Sequence, residues 1–108
     1  ERETRLLARH QAHVCLCPGS NRYLRVGKAP AARLARAGVN LCLGTDSAAS
    51  NTSLDLWREM RLLREDAPGL SPENVLFLAT LGGARALGLE GRFGSLVPGA
   101  EALMLAID

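Results

Sequence analysis

Two short apolar runs, HVCLC at residues 13–17 and VNLCLGT at residues 39–45, most constrain what this chain can become. Neither alternates apolar with polar residues as a half-buried strand does. Each is nearly continuous, the pattern of a strand covered on both faces. Between them APAARLARAG (29–38) reads as a helix, with Pro30 suited to its first turn and Gly38 to its C-terminal cap. Strand, crossover helix and strand make a parallel unit covered by helices. A helix is predicted over 2–11 before it and another over 53–65 after it, capped by Thr52 or Ser53, with Leu56, Met60 and Leu63 at helical spacing. Trp57 and Met60 are expected in the core. A last helical stretch opens with Ser71 as cap and Pro72 at its first position, and the Gly82-Gly83 pair is expected to divide it in two. The tail GSLVPGAEALMLAID (94–108) carries a turn signal at 97–99 and a strand-like run from Ala102 to Ile107.

Two parallel strands do not complete a sheet, so further strands are expected from a longer chain or a partner. Glu1 opens without a methionine and directly inside a helical pattern, which raises the same expectation of a piece of a longer protein. A hydrophobic content of 47% with 22% charged residues fits a globular chain and excludes disorder. A net charge of +2, from scattered arginines with Lys28 the only lysine, gives no footprint for a nucleic-acid polymer. No apolar run approaches the roughly 20 residues that span a bilayer, so no membrane partner is expected. Three cysteines, an odd number without framework spacing, point to reduced thiols and a cytoplasmic setting.

In parallel α/β architectures the reacting groups gather where strands end. CPGSN (17–21) and GTDSAASN (44–51) hold those places and read as loops. Strand parity puts Asp46 on one face with Asn40, Cys42 and Gly44, while Val39, Leu41 and Leu43 face the covering helices. Asp46 is therefore a metal ligand or general base aimed from a strand end, or a capping residue in an ordinary turn. The residues by themselves leave both readings open.

CPxSN, GTDxxxSN and GxLxPG, in that order and spacing, resemble the end of an amidohydrolase-superfamily enzyme. The branch is the one that holds the S-adenosylhomocysteine/methylthioadenosine deaminases, aminofutalosine deaminases, guanine deaminase and triazine chlorohydrolases. The resemblance covers essentially the whole chain. It implies an α/β fold made of the last two βα units of a TIM-type (β/α)8 barrel over residues 1–93, and the start of a small C-terminal β segment over 94–108. As given, the barrel is incomplete. The implied activity is hydrolytic deamination, or dechlorination, of an amino-substituted heterocycle such as a purine nucleoside derivative. The implied cofactor is zinc or iron in the full-length enzyme, and the implied partner is that small-molecule substrate. Asp46 becomes the aspartate that binds the catalytic metal and moves protons. Ser20, Asn21, Ser50 and Asn51 become residues that touch substrate or orient the loops. A small departure lies in the tail, where Ala100 and Leu103 stand near the places of a lysine and an aspartate in relatives.

The histidines and acid/base glutamate that complete the family's site have no counterpart between Glu1 and Asp108. His10 sits on the first helix. His13 stands at the wrong end of its strand, about 13 Å from the reactive edge at ~3.3 Å per residue. One carboxylate does not hold zinc, since catalytic sites use about three protein ligands. The chain alone is thus expected to hold no metal and to be inactive, needing the missing barrel part or an oligomeric partner. The alternative is a non-catalytic fragment or a split-barrel subunit. Cys15, Cys17, Cys42 and His13 do not make a zinc knuckle; the three cysteines read as small buried apolar residues, and His10 and His13 as surface or interface histidines. Ser47, His13 and Asp46 fail as a catalytic triad because His13 is at the opposite edge.

Overall fold

The two apolar runs pair side by side and parallel. Strand β1 (His13–Leu16) lies against β2 (Asn40–Leu43), with His13 opposite Asn40 and Leu16 opposite Leu43. The computed structural model describes residues 1–107. Around the strands run helices α1 (Arg2–Arg9), α2 (Pro18–Leu24), α3 (Ala31–Arg36), α4 (Leu56–Asp66), α5 (Pro72–Ala79) and α6 (Leu81–Ala86). Among the described residues no helix is long and apolar enough to cross a membrane.

The face of β2 predicted to meet the covering helices is the core. Val39, Leu41 and Leu43 are buried with Leu16 of β1 and pack with Leu34 of α3, Leu63 of α4 and Val75 and Leu78 of α5. Each such leucine or valine contributes about 1.5–3 kcal/mol by leaving water. Two predicted caps form. Ser71 Oγ accepts from the Asn74 N–H at 3.2 Å, and Gly38 closes α3 at φ +78° while the Val39 N–H reaches the Leu34 carbonyl at 3.2 Å.

Several expectations need correction. CPGSN is not a loop, because Pro18 opens α2 directly after β1 and carries Ser20 and Asn21 on a helix. Proline lacks only a donor that the first turn leaves free, so Pro-Gly starts a helix here rather than a turn. Helix α4 starts later than predicted, with Asp55 as its cap, accepting from the Trp57 N–H at 2.9 Å. Trp57 lies one position off the Leu56, Met60 and Leu63 stripe, about 100° around the helix, and is 45% exposed rather than in the core. Met60 packs against the core as expected.

The last two helices divide at Thr80, whose hydroxyl donates to the Leu76 carbonyl at 2.7 Å, and the glycine pair lies inside α6. Gly82 serves close packing instead: a Cβ there would run into the Leu41 carbonyl oxygen of β2. The run from Ala102 to Ile107 forms no strand, and Leu103, Met104, Leu105 and Ile107 are exposed. A strand needs a partner edge for its backbone groups, and none is offered to it among the described residues. Glu101 ties the tail back through its N–H, which donates to the Arg92 carbonyl at 2.8 Å, and its own carbonyl accepts from the Leu103 N–H at 2.9 Å. Asp108, the end of the predicted β segment, lies outside the described residues.

Candidate active site

Beyond Leu43 the chain leaves β2 and turns at Asp46, whose backbone is left-handed at φ +59°. Aspartate is one of the few residues that tolerates this region, through its short polar side chain. The turn places the exposed Asp46 carboxylate beside the first turn of α2, at the carboxyl ends of both strands. Two hydroxyls converge on one of its oxygens. Ser20 Oγ donates to Asp46 Oδ2 at 2.8 Å, and Ser50 Oγ donates to the same oxygen at 2.6 Å. Ser47 Oγ lies 3.0 Å from Ser50 Oγ. Ser20 is buried, at 3% exposure, so one of the two donors has a fixed position.

These bonds favour the ionised form. The Ser50 and then the Ser20 hydroxyl hold the Asp46 carboxyl below its usual value. Their contribution to stability is therefore present above the unfolded carboxylate range, and it is lost as pH falls through the lower folded-state value. Replacing Ser20 by alanine should raise the Asp46 pKa toward the ordinary value. A carboxyl-carbon NMR titration of metal-free protein reads this directly, and an unmoved midpoint would show that the Ser20 bond has no such effect.

With both hydroxyls on Oδ2, no described side chain donates to Oδ1. An ionised, exposed carboxylate with one oxygen left open suits a single ligand position for a divalent cation. Among the described residues no group of three or more His, Cys, Asp or Glu side chains could hold one. His13 is not near this edge. Its Nδ1 lies 2.9 Å from Asn40 Nδ2 at the opposite ends of the strands, and Asn40 donates also to the Gly82 carbonyl. The cysteines lie along the face opposite the core, with Cys15 and Cys17 sulfurs 4.0 Å apart. Cys42 is buried as expected, whereas Cys15 is exposed and Cys17 only half-buried. Burial, with Cys15 beside it, pushes the Cys17 thiol up to about 12.

The other two predicted residues do not join Asp46. Asn21 is half-buried on α2 and lines a very small cavity with Leu16, Ala29, Leu63 and Asp66 on the core side. Asn51 is turned inward, at 4% exposure. Its Nδ2 donates to the Thr45 carbonyl at 2.8 Å and to Glu59 Oε1 at 2.9 Å, and its Oδ1 accepts from Arg58 Nη1 at 3.0 Å. Glu59, which the sequence reading passed over, is the most buried side chain of the site, at 0% exposure. Its Oε2 accepts from the Gly19 N–H at 2.7 Å. The available signal was its place on the apolar stripe of α4, three residues after Leu56 and next to Met60.

The amidohydrolase family model matches residues 1–108. The chain is similar to a 5-methylthioadenosine/S-adenosylhomocysteine deaminase of Teredinibacter turnerae, with 46% identity over 110 residues, covering 95% of this chain and 25% of that protein. Among solved structures it is similar to an adenosine deaminase from Xanthomonas campestris with bound zinc, at TM-score 0.85 and 44% identity over 94% of this chain and 25% of that one. It is also similar to the guanine deaminase of E. coli, at TM-score 0.86 and 30% identity, again over 94% and 25%. The chain spans about a quarter of the length of the curated relatives it matches.

Proposed function

The chain belongs to the amidohydrolase family, and we propose that it forms the C-terminal part of a metal-dependent enzyme that deaminates an amino-substituted heterocycle, most closely a purine nucleoside derivative. In this reading β1 and β2 are the last two strands of a (β/α)8 barrel, residues 1–93 belong to that barrel, and 94–108 begin a small β segment. The missing barrel part supplies the remaining ligands and most of the substrate pocket. A reduced, cytoplasmic setting belongs to the same reading, since all three cysteines are free.

One observation carries the proposal: an ionised carboxylate held by two serine hydroxyls at the carboxyl ends of parallel strands, in a chain matched by the family over its full length. Asp46 would be one ligand of a divalent cation, through the oxygen that Ser20 and Ser50 leave open. The bound zinc of the Xanthomonas campestris neighbour favours zinc over iron. Such an ion would supply Lewis acidity and a water that loses its proton near neutral pH. Asp46 accepts a proton from the attacking water and returns it to the leaving nitrogen as the bond between the ring carbon and the exocyclic amino nitrogen breaks, so that ammonia departs. In a substrate that carries chlorine at the same ring position, chloride departs instead. Ser20 and Ser50 keep the carboxylate oriented and ionised between these transfers.

The full-length protein carrying this segment provides the test. Chelation should abolish ammonia release from 5′-methylthioadenosine, S-adenosylhomocysteine or guanine, and added zinc should restore it. Undiminished release from metal-free protein would overturn the metal-dependent reading, and no release of ammonia or halide from any amino- or chloro-heterocycle would overturn the proposed reaction.

A further inference from the structure

The most buried charged group in the chain is not part of the proposed chemistry. Glu59 has no exposed surface, yet it sits on a helix whose outer face is charged and open to solvent. A buried carboxylate is costly unless charge and hydrogen bonds compensate it. Here the compensation comes from the two segments that build the site. Glu59 Oε2 takes the Gly19 N–H, one residue before Ser20, at 2.7 Å. Glu59 Oε1 takes Asn51 Nδ2 at 2.9 Å, and that same nitrogen holds the Thr45 carbonyl, one residue before Asp46, at 2.8 Å. Arg58 Nη1 closes the group, 3.5 Å from Glu59 Oε1 and 3.0 Å from Asn51 Oδ1. No buried side-chain nitrogen or oxygen among the described residues lacks a partner, so the network is complete as it stands. Gly19 leaves no slack in it, because a Cβ there would strike Glu59 Oε1 and lie 2.7 Å from Asn51 Nδ2.

We propose that Glu59 is a positioning residue for Asp46: one carboxylate anchors, through Gly19 and through Asn51, the two backbone segments whose side chains meet in the Ser20–Asp46 hydrogen bond. The inference rests on the reading of Asp46 given above. Its physical content is that the 2.8 Å contact joins side chains from two segments that make no covalent connection near the site. Glu59 ties them together from beneath, so the carboxylate faces the reaction with its orientation already fixed. Glutamine at 59 keeps the shape but must present an NH2 group to one of two donors, the Gly19 N–H or Asn51 Nδ2. One arm of the link is then cut.

The test uses the full-length, zinc-loaded enzyme. Glu59→Gln should lower kcat about 10–100-fold, as loss of a residue that supports a metal-site ligand does, while KM stays within about threefold. Hydrogen exchange should quicken in peptides spanning 17–24 and 44–52 and remain unchanged in α5. In a double-mutant cycle with Ser20→Ala, the two losses should fail to add, because both act through one bond. Asn51→Ala cuts the link from its other side and provides the same readings if Glu59→Gln yields no soluble protein. The proposal is overturned if folded, zinc-loaded variants keep kcat within twofold, or if the losses multiply while exchange rises uniformly, as simple destabilisation would produce. Retained activity in an Asp46→Asn enzyme, alongside the local exchange changes, would instead overturn the role assigned to Asp46 and leave the mechanical link intact.

Discussion

Asp46→Asn in the full-length enzyme should abolish turnover, with kcat falling by at least about 10³-fold, within the range that removal of a general base produces. Asparagine fits the same turn, because it also tolerates the left-handed backbone that residue 46 adopts at φ +59°. The Ser20 and Ser50 hydroxyls can still donate to the amide oxygen or rotate to accept from its nitrogen. The carboxylate is exposed and its side-chain partners among the described residues are these two hydroxyls, so the fold should be nearly untouched. What disappears is the negative charge and the capacity to take a proton, and with them the proposed anionic ligand of a cation. Thermal denaturation and zinc content should accompany the kinetics. A variant that unfolds where wild-type does, yet works at near-normal rate, would remove Asp46 from the mechanism.

The second large effect should come from a methyl group. Gly19→Ala should destabilise the protein by about 3–5 kcal/mol, the cost of breaking up a buried charged group. The new Cβ would meet Glu59 Oε1, with Asn51 Nδ2 at 2.7 Å and Arg58 Nη1 at 2.8 Å. None of these can retreat cheaply, since each is already committed to another partner. The denaturant midpoint should fall accordingly. Gly69→Ala is the control: a Cβ at Gly69 meets nothing within 4 Å, and the midpoint should move by no more than about 0.5 kcal/mol equivalent. Equal behaviour of the two variants would mean that the region around Glu59 is looser than its hydrogen bonds imply.

The parallel pairing of the two apolar runs was legible because period and continuity of hydrophobic residues report burial directly. The caps at Gly38 and Ser71 were legible because the chemistry of a helix end is local. The fate of CPGSN was not, since proline followed by glycine serves a turn and a helix start equally well. Local signals also favoured Thr52 or Ser53 as the cap of α4, whereas Asp55 takes that place and accepts from the Trp57 N–H. The tail shows the same limit from the other side. An apolar, strand-like run describes residues that could join a sheet, but pairing depends on an edge that the described residues do not present to it. Asp46 could be singled out from strand position and motif. The hydroxyls that grip it depend on how α2 meets the turn after β2, a tertiary relation that spacing does not encode.

The left-handed turn at residue 46 narrows the choices open to evolution at this edge. Glutamate would carry the same charge, but its longer chain lacks the local backbone bonding that makes φ +59° acceptable to aspartate. Histidine or cysteine would bring a different metal preference into a turn whose hydroxyls are arranged to donate to an anion. Backbone conformation favours a short polar side chain here, and the surrounding donors favour an anion, before any demand of catalysis is added. Bringing a different type of metal ligand to this edge would require the turn itself to be rebuilt first.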